Sequence, residues 1–336
     1  MPAKDAFIIK TLPFAKEDRL MSWYYLLSTL LLAMTAFSFT WIDDHVTVKL
    51  VSGIVAGLIT ARLVVIYHDF QHGAILNDSA VAQAVMTFVG VLTLTPSSIW
   101  DESHEHHHHT NSKFATFVLG SFPTISTSMY WSLSRKAQFR YRLLRHPLMI
   151  ALGYIPIFLV SFCLWPFFEN PRRYWDCGVA AVLHIALASA LWIYGGWAAA
   201  VFSLLIPSLV AFSLGGYIFY AQHNFPDVIL TRDESWNYFD AALKSSSYIR
   251  MSRVMRWFTA NIGYHHVHHV NPRIPFYKLP YAMDAIMELQ NPRCTSLHPK
   301  EIWKCLQLKL WDEDLGRMIS MREFKRVALS KMRKIT

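Results

Sequence analysis

Long apolar stretches alternate with short polar ones along the first two thirds of the chain. The first runs from Met21 to Trp41 and carries aromatic residues at both ends, where rings favour the membrane–water interface. A second runs from about Val48 to Tyr67. A bilayer core about 30 Å thick needs roughly 20 apolar residues per helical span. Both stretches therefore predict membrane-spanning helices.

The later apolar stretches are less regular. The one from Val81 to Trp100 is rich in serine and threonine and contains Pro96, which predicts a re-entrant or interfacial segment. At least two of the other three are expected to cross: Leu148 to Phe168, Gly178 to Trp192 and Ala198 to Tyr220. The pattern predicts an all-α, polytopic membrane bundle of about four transmembrane helices plus re-entrant or interfacial segments.

Composition supports the membrane class, because 53% of the residues are hydrophobic and only 16% are charged. Beyond Tyr220 no apolar run is long enough to span, so residues 221–336 predict a cytoplasmic, helical cap. Residues 1–20 predict a cytoplasmic N-terminus, and residues 21–220 the membrane region. Since no repeat or flexible linker interrupts the sequence, residues 1–336 are interpreted as one domain.

The net charge of +9 comes from basic residues spread over loops and tail, and not from a nucleic-acid-binding motif, so no nucleic-acid partner is expected. Basic residues before the first span and the acidic Asp43-Asp44 after it predict a cytoplasmic N-terminus and an outward-facing turn. The tail from Gly316 to Thr336 mixes apolar and basic residues. It predicts either a helix on an anionic headgroup layer or a solvated basic end that frays.

The candidate chemistry lies in the sixteen histidines, most of which fall into three boxes. Box one holds His68 and His72, box two spans residues 104–109, and box three spans residues 265–269. On a helix, the i, i+3 and i+4 positions share one face. Read as H-x-x-H-H, the second and third boxes select His104, His107, His108, His265, His268 and His269.

This number of imidazoles indicates metal binding by more than one ion. Imidazole is a ligand for iron, copper, zinc and nickel, so the ligand type alone does not identify the metal. A single zinc site takes about four ligands. The eight box histidines exceed that number, and two metal ions are the simpler interpretation. The four cysteines are isolated, with no C-x-x-C spacing, and fit a reducing compartment.

The three boxes resemble those of membrane fatty-acid desaturases. The segments 220–225, 261–264 and 271–280 look like the bacterial acyl-lipid branch, many of whose members are described as omega-6 enzymes. The resemblance implies two non-haem iron ions, O₂ as co-substrate and His223 as a ninth iron ligand. It also implies a multi-pass protein of the inner cell membrane with its boxes on the cytoplasmic side. The implied reaction inserts a cis double bond, expected at Δ12, into a membrane-lipid acyl chain.

The chain also departs from related patterns. Phe219 stands where acyl-CoA desaturases have an asparagine, so a tenth ligand would be water or an unassigned residue. Box one has three intervening residues, which favours the acyl-lipid branch over the acyl-CoA branch. No haem-binding His-Pro-Gly-Gly or G-x-G-x-x-G fingerprint occurs in the sequence. Electrons are therefore expected from an external donor such as ferredoxin.

Several residues beside the boxes are candidates for supporting roles. Arg62 and Asp69 are seven positions apart on one helix face, so they either pair and orient box one, or Arg62 snorkels to the interface. Three histidines fall off the ligand faces and are expected to be outer hydrogen-bond partners or solvent-exposed. They are His106, His109 and His266.

Two further features lie inside apolar stretches. His184 is either a functional group or a neutral histidine bonded to a neighbouring helix. The G-x-x-x-G pair of Gly53 and Gly57 predicts close helix packing.

Two alternatives to a desaturase stay open. A hydroxylase or ketolase of the same di-iron superfamily, acting on lipid, alkane or carotenoid, would share the ligands. A polytopic metal transporter would instead place its histidines near the midplane of the spans, whereas these boxes fall at span ends and in the cap.

Overall fold

A computed structural model of the chain describes residues 3–42, 44–113, 122–231 and 236–332, and the fold of these residues is mostly helical. Asp43 of the predicted acidic turn and the last tail residues, 333–336, lie outside the described residues. The predicted all-α membrane bundle with a histidine-rich site is confirmed.

Within the first third, the residues that the structure describes form five helices. They are α1 (Ala3–Ala15), α2 (Arg19–Ile42), α3 (Val46–Gln71), α4 (Ala80–Leu92) and α5 (Ser97–Thr110). The described residues of the middle third form six α-helices and two π-helical segments. They are α6 (Thr127–Ser132), α7 (Arg135–Leu144), α8 (Pro147–Ala151), the π-helix Tyr154–Leu164, α9 (Trp165–Glu169), α10 (Trp175–Ala200), the π-helix Val201–Leu205 and α11 (Ile206–His223).

The last third combines short helices with two small sheets that the sequence did not predict. Its helices are α12 (Tyr238–Lys244), α13 (Arg253–Phe258), α14 (His265–Val270), α15 (Leu279–Ala285), a 3-10 turn (Met287–Leu289), α16 (Pro299–Gln307) and α17 (Met321–Met332). Strand β1 (Tyr248–Arg250) pairs in parallel with β2 (Cys294–Ser296). Strand β3 (Leu308–Asp312) pairs antiparallel with β4 (Arg317–Ser320).

Three helices among the described residues are long and apolar enough to cross a bilayer: Arg19–Ile42, Val46–Gln71 and the continuous stretch Trp175–His223. The last has 49 residues, and at 1.5 Å per residue it would be roughly 70 Å long, about twice the thickness of a bilayer core. Its backbone is non-helical at Gly196, where φ is 68°. A Cβ at Gly195 would lie 2.8 Å from the ring of Trp41, at the end of α2. The stretch is therefore kinked at Gly196 and is long enough for two spans.

Helices α4 and α5 meet at an angle of 84° and would add a candidate span only if counted together. Helix α4 begins eight residues after box one, and α5 carries box two, so the pair starts and ends on the same side of the bundle. This geometry agrees with the predicted re-entrant or interfacial segment. The stretch from Leu148 to Phe168 is divided among α8, a π-helix and α9, and forms only a shorter apolar helix, Tyr154–Glu169.

Helix α3 occupies the centre of the bundle, between α2 and α11. A Cβ at Gly53 would lie 2.7 Å from the carbonyl oxygen of Phe202, and one at Gly57 would lie 2.7 Å from that of Pro207. Contacts this short require glycine, so the predicted close packing is confirmed. His184 on α10 forms a hydrogen bond with the hydroxyl group of Tyr154, which agrees with a histidine bonded to a neighbouring segment.

Three apolar residues of the tail pack against the protein itself and not against a headgroup layer. Met318 and Ile319 lie in β4 and are buried. Phe324 of α17 is also buried, with its ring centroid 5.3 Å from that of Tyr130. Ile319 and Phe324 therefore close a small core of the protein itself, together with α6 and β3.

Candidate metal centre

Four helices bring the histidines to one side of the bundle. Box one lies at the C-terminal end of α3, box two lies in the second half of α5, and box three forms most of α14. His223 is the last residue of α11. All nine predicted histidines lie in two groups, each with its ligand atoms within 4.8 Å of one another.

The first group, called cluster A here, contains five histidines: His68, His72, His104, His108 and His268. The Nε2 atoms of His68 and His104 are 3.0 Å apart, and those of His108 and His268 are 3.1 Å apart. The indole ring of Trp100 stacks on His104 with a centroid separation of 4.4 Å. Trp100 therefore covers one side of cluster A, a role that the sequence did not predict.

The second group, cluster B, contains four histidines: His107, His223, His265 and His269. The Nε2 atom of His223 is 2.9 Å from that of His107 and 2.9 Å from that of His265. The ring centroid of Phe219 is 5.0 Å from that of His107. Phe219, which stands where acyl-CoA desaturases have an asparagine, thus contributes an aromatic ring beside cluster B and no metal ligand.

The chemistry of these donors fits a metal better than a hydrogen-bond network. The pKa values of His265, His268 and His269 lie well below their usual range, first because burial disfavours the charged ring and then because other histidines lie close. Neutral imidazoles each present a lone pair that can bind a metal. In addition, the buried Nε2 of His72 has no hydrogen-bond partner among the described residues. Each cluster could therefore hold a metal ion.

Partners outside the clusters orient the rings. The Nδ1 atom of His68 is 3.2 Å from Oδ1 of Asp69, while Oδ2 of Asp69 accepts a hydrogen bond from the amide of Phe276 at 2.6 Å. His223 uses its Nδ1 to donate to the carbonyl oxygen of Ser245 at 3.0 Å. A donor role for Nδ1 fixes the tautomer and leaves the Nε2 lone pair free to face the cluster.

Arg62 does neither of the things predicted for it. Its buried side chain donates to Oγ1 of Thr29 at 3.1 Å and to the carbonyl oxygen of Trp257, and its guanidinium lies 4.4 Å from the Trp257 ring centroid. Arg62 is therefore not paired with Asp69 and does not snorkel. These contacts link α3 to α2 and to α13, and so stabilise the packing of these three helices.

The three histidines predicted to fall off the ligand faces lie outside both clusters. His106 and His109 are exposed. His266 is buried, and its ring forms a hydrogen bond with the carbonyl oxygen of Leu289 at 3.1 Å. Burial lowers the pKa of His266 to about 4, so this ring is neutral at physiological pH.

The residues that contact the neighbours of box two and of His223 were not predicted from the sequence. Glu102, two positions before His104, accepts a hydrogen bond from the Tyr174 hydroxyl group at 2.5 Å and pairs with Arg173 at 2.7 Å. The fully buried Arg145 donates to the side chain of Asn224, next to His223. It also donates to the carbonyl oxygens of residues 122 and 123, at 2.9 and 2.8 Å. No sequence motif marks these contacts.

Two cavities reach the clusters. The larger, of about 190 Å³, is mostly apolar and lies among α3, α5, the π-helix Tyr154–Leu164 and α11. It contacts His68 and His104 of cluster A as well as His107 and His265 of cluster B. A smaller cavity of about 70 Å³ is lined by more polar residues and reaches His107 and His223. Phe122 and Phe219 lie between the two cavities and contact both.

Comparison with known proteins agrees with this geometry. The sequence profile of the fatty acid desaturase family matches residues 45–300, about three quarters of the chain. The chain belongs to that family. A fatty acid desaturase of Bacillus subtilis (strain 168) is 33% identical over 281 residues, which cover 82% of this chain and 78% of the relative.

A second relative, the fatty acid conjugase FAC2 A of Calendula officinalis, is 25% identical over 266 residues, covering 68% of this chain and 65% of the relative. The predicted family and enzyme class are thus confirmed: the protein is an enzyme that desaturates fatty acids. The family acts on acyl lipid at a membrane, which agrees with the apolar helices of the bundle.

Proposed function

We propose that each cluster holds one iron ion and that the nine histidines of the clusters are the ligands. The observation that carries the proposal is the division of nine converging imidazoles into groups of five and four. Either group alone matches the coordination number of one ion, whereas the whole set exceeds it. Imidazole ligands suit iron, and the family resemblance favours iron over the other metals that imidazole binds.

The irons, when bound, would supply the O₂ chemistry that removes hydrogen from an unactivated methylene pair. The protein's own residues have a different task. The apolar cavity binds an acyl chain beside His104 and His107 and excludes water from the reacting carbons. Asp69 and the carbonyl group of Ser245 keep His68 and His223 in one orientation.

The product that we propose is a cis double bond in a membrane-lipid acyl chain, at the Δ12 position of an existing monoene. The resemblance to the bacterial acyl-lipid branch and the similarity to a bacterial desaturase support it. A hydroxylase or ketolase of the superfamily is the second candidate, because it would use the same ligands. The clusters lie at the ends of α3 and α11, which argues against a metal transporter with a midplane site.

We infer that residues 1–336 form one domain in the inner cell membrane, with both clusters on the cytoplasmic side. Residues 1–20 would be the cytoplasmic N-terminus, 21–220 the membrane region and 221–336 the cap. The four cations of α7, which leads directly into α8, support this orientation under the positive-inside rule. Labelling of the exposed Cys294 should need access from the cytoplasm, and an Asp44→Cys variant should react from outside.

Electrons would come from ferredoxin or a similar small donor. The sequence contains neither a haem motif nor a nucleotide-binding glycine fingerprint, which supports an external source. The purified protein should therefore be inactive with NAD(P)H alone and become active when a reduced donor is added.

Expression in a host that supplies oleoyl lipids and a compatible donor tests the reaction. Mass spectrometry after double-bond derivatisation should find a new diene, absent from a host that carries the His268→Ala variant. A hydroxy-acyl product would favour the second candidate. An unchanged profile, despite bound iron and an active donor, would contradict an acyl substrate.

A further inference from the structure

Helix α7 (Arg135–Leu144) exposes an apolar stripe between cations. Phe139 is 59% exposed and Leu143 is 46% exposed, although both are large and hydrophobic. The same helix contains no acidic residue and four exposed basic ones: Arg135, Lys136, Arg140 and Arg142. Its opposite face carries Tyr141, which is buried.

The positions around the helix axis place these groups in order. Successive residues are about 100° apart, so Phe139 and Leu143 lie about 40° from each other on the outward face. Lys136 and Arg140 fall on one side of this stripe, and the other two cations fall on the other side. A helix lying in a bilayer interface has this arrangement, with apolar side chains directed into the acyl region and long cationic side chains reaching up to the headgroups.

Continuity with the membrane region supports the same environment. Helix α8 begins three residues after the end of α7, and its Leu148 is 61% exposed. Leu152, immediately after α8, is 53% exposed, and the apolar segment Tyr154–Glu169 follows. On the buried side, the Tyr141 hydroxyl group donates to the carbonyl oxygen of Lys309 at 2.5 Å, which fixes the direction in which the stripe faces.

We propose that α7 is a docking surface for the headgroup layer of anionic phospholipid. The apolar stripe enters the acyl boundary, and the four cations bind lipid phosphates on both sides of it. Charge complementarity selects anionic over zwitterionic lipid, because each cation near such a surface contributes roughly a fivefold increase in affinity. An acidic protein would match the cations too, but the continuous apolar path from α7 into α8 favours the bilayer.

A nitroxide label at residue 139 tests the proposal in the full chain. The exposed Cys294 is replaced in a Cys294→Ser background, in which the other cysteines are buried, and Phe139→Cys carries the label. The protein is placed in nanodiscs of phosphatidylcholine alone, or of phosphatidylcholine mixed with phosphatidylglycerol. The mixed lipid should lower the collision rate of the label with an aqueous nickel chelate about fivefold or more. Raising the ionic strength should reverse that protection.

The variant R135Q/K136Q/R140Q/R142Q should remove the difference between the two lipids. The matched control Lys244→Gln/Arg273→Gln/Lys300→Gln/Lys304→Gln neutralises four exposed cations outside α7 and should keep the difference. If the fourfold variant does not fold, the salt titration of the labelled parent decides the question. Equal accessibility in both lipids, or protection that appears only when an acidic iron–sulfur protein is added, would overturn the proposal.

Discussion

Clusters A and B lie side by side but are built differently. Cluster A has five histidines, a covering indole ring from Trp100, and a carboxylate, Asp69, as its outer partner. Cluster B has four histidines, the ring of Phe219 beside it, and a backbone carbonyl as its outer partner. Both cavities reach cluster B, whereas only the apolar one reaches cluster A.

The boxes of the sequence are not the clusters of the structure. Box two gives His104 and His108 to cluster A and His107 to cluster B. Box three gives His268 to cluster A, and its i, i+4 pair goes to cluster B. On a helix, i and i+4 are about 40° apart, whereas consecutive residues are about 100° apart. Each H-x-x-H-H box therefore bridges the two clusters.

Loss of a ligand should have the largest effect. His268→Ala removes one imidazole from cluster A, and His269→Ala removes one from cluster B, so each should lose activity at least about a hundredfold. Iron content should fall in both variants, which elemental analysis of purified protein would detect. His106→Ala is the matched control within box two, because His106 is exposed and outside the clusters. A His106→Ala loss equal to that of His268→Ala would contradict the ligand assignment.

Removal of the Asp69 carboxylate should affect cluster A more than cluster B. Asp69→Asn keeps the size of the side chain but leaves one acceptor oxygen for both His68 and the amide of Phe276. Metal affinity or activity should therefore fall roughly 10- to 100-fold. Cluster B has no equivalent position to mutate, because its partner is a main-chain group. Chelator titration should show one iron released much more readily than the other.

Asp312→Asn is the control for this change. Asp312 is also buried, but it accepts hydrogen bonds from the amides of Asp314 and Leu315, away from both clusters. Its substitution should leave the chelator titration unchanged. Equal release of both irons from the Asp69→Asn protein would remove the distinction between the clusters.

Blocking the shared cavity should uncouple metal binding from turnover. A Cβ at Gly215 would meet no atom within 4 Å, and Gly215 lines the apolar cavity. Gly215→Leu should therefore lower the yield of long-chain product about tenfold or more, with both irons retained. Gly215→Ala adds a single methyl group and should behave nearly as the parent does. Loss of iron from the leucine variant would mean that α11 itself is disturbed.

The smallest effect concerns Lys309, near cluster B. Burial, followed by the charge of Arg145, lowers the pKa of Lys309 to about 7 from its usual 10.5. Between these values the unfolded chain binds more protons than the folded protein, so the free energy of unfolding rises with pH from about 7 to about 10.5. Lys309→Met should flatten this rise in thermal unfolding measured in detergent. The exposed Lys304→Met should preserve it, and a rise unchanged in Lys309→Met would place its origin elsewhere.

Much of the fold could be predicted from the sequence because membrane helices and ligand boxes are local patterns. The spans at Met21 to Trp41 and Val48 to Tyr67 correspond to α2 and α3. The kink at Gly196 lies between the predicted stretches that end at Trp192 and begin at Ala198. All nine predicted histidines converge, since each box needs only helical spacing to present one face.

The misses share a different cause: they depend on contacts between distant parts of the chain. Arg62 bonds to the carbonyl oxygen of Trp257, 195 positions away. Arg145 is held by acceptors from several separate segments, and none of them belongs to a motif. The tail sequence is amphipathic, but Ile319 and Phe324 have partners in α6 and β3 that periodicity does not reveal. The spacing of residues predicts which side chains share a helix face, but the tertiary structure determines which distant segments pack against that face.

The two clusters are proposed to hold two irons in one chain. Protein purified in mild detergent and analysed by inductively coupled plasma mass spectrometry, with the protein concentration from amino-acid analysis, tests it most directly. Close to two irons per chain are expected in the parent and in His106→Ala. A single equivalent of zinc, or one iron in the parent with no further loss in either the His268→Ala or the His269→Ala variant, would contradict it.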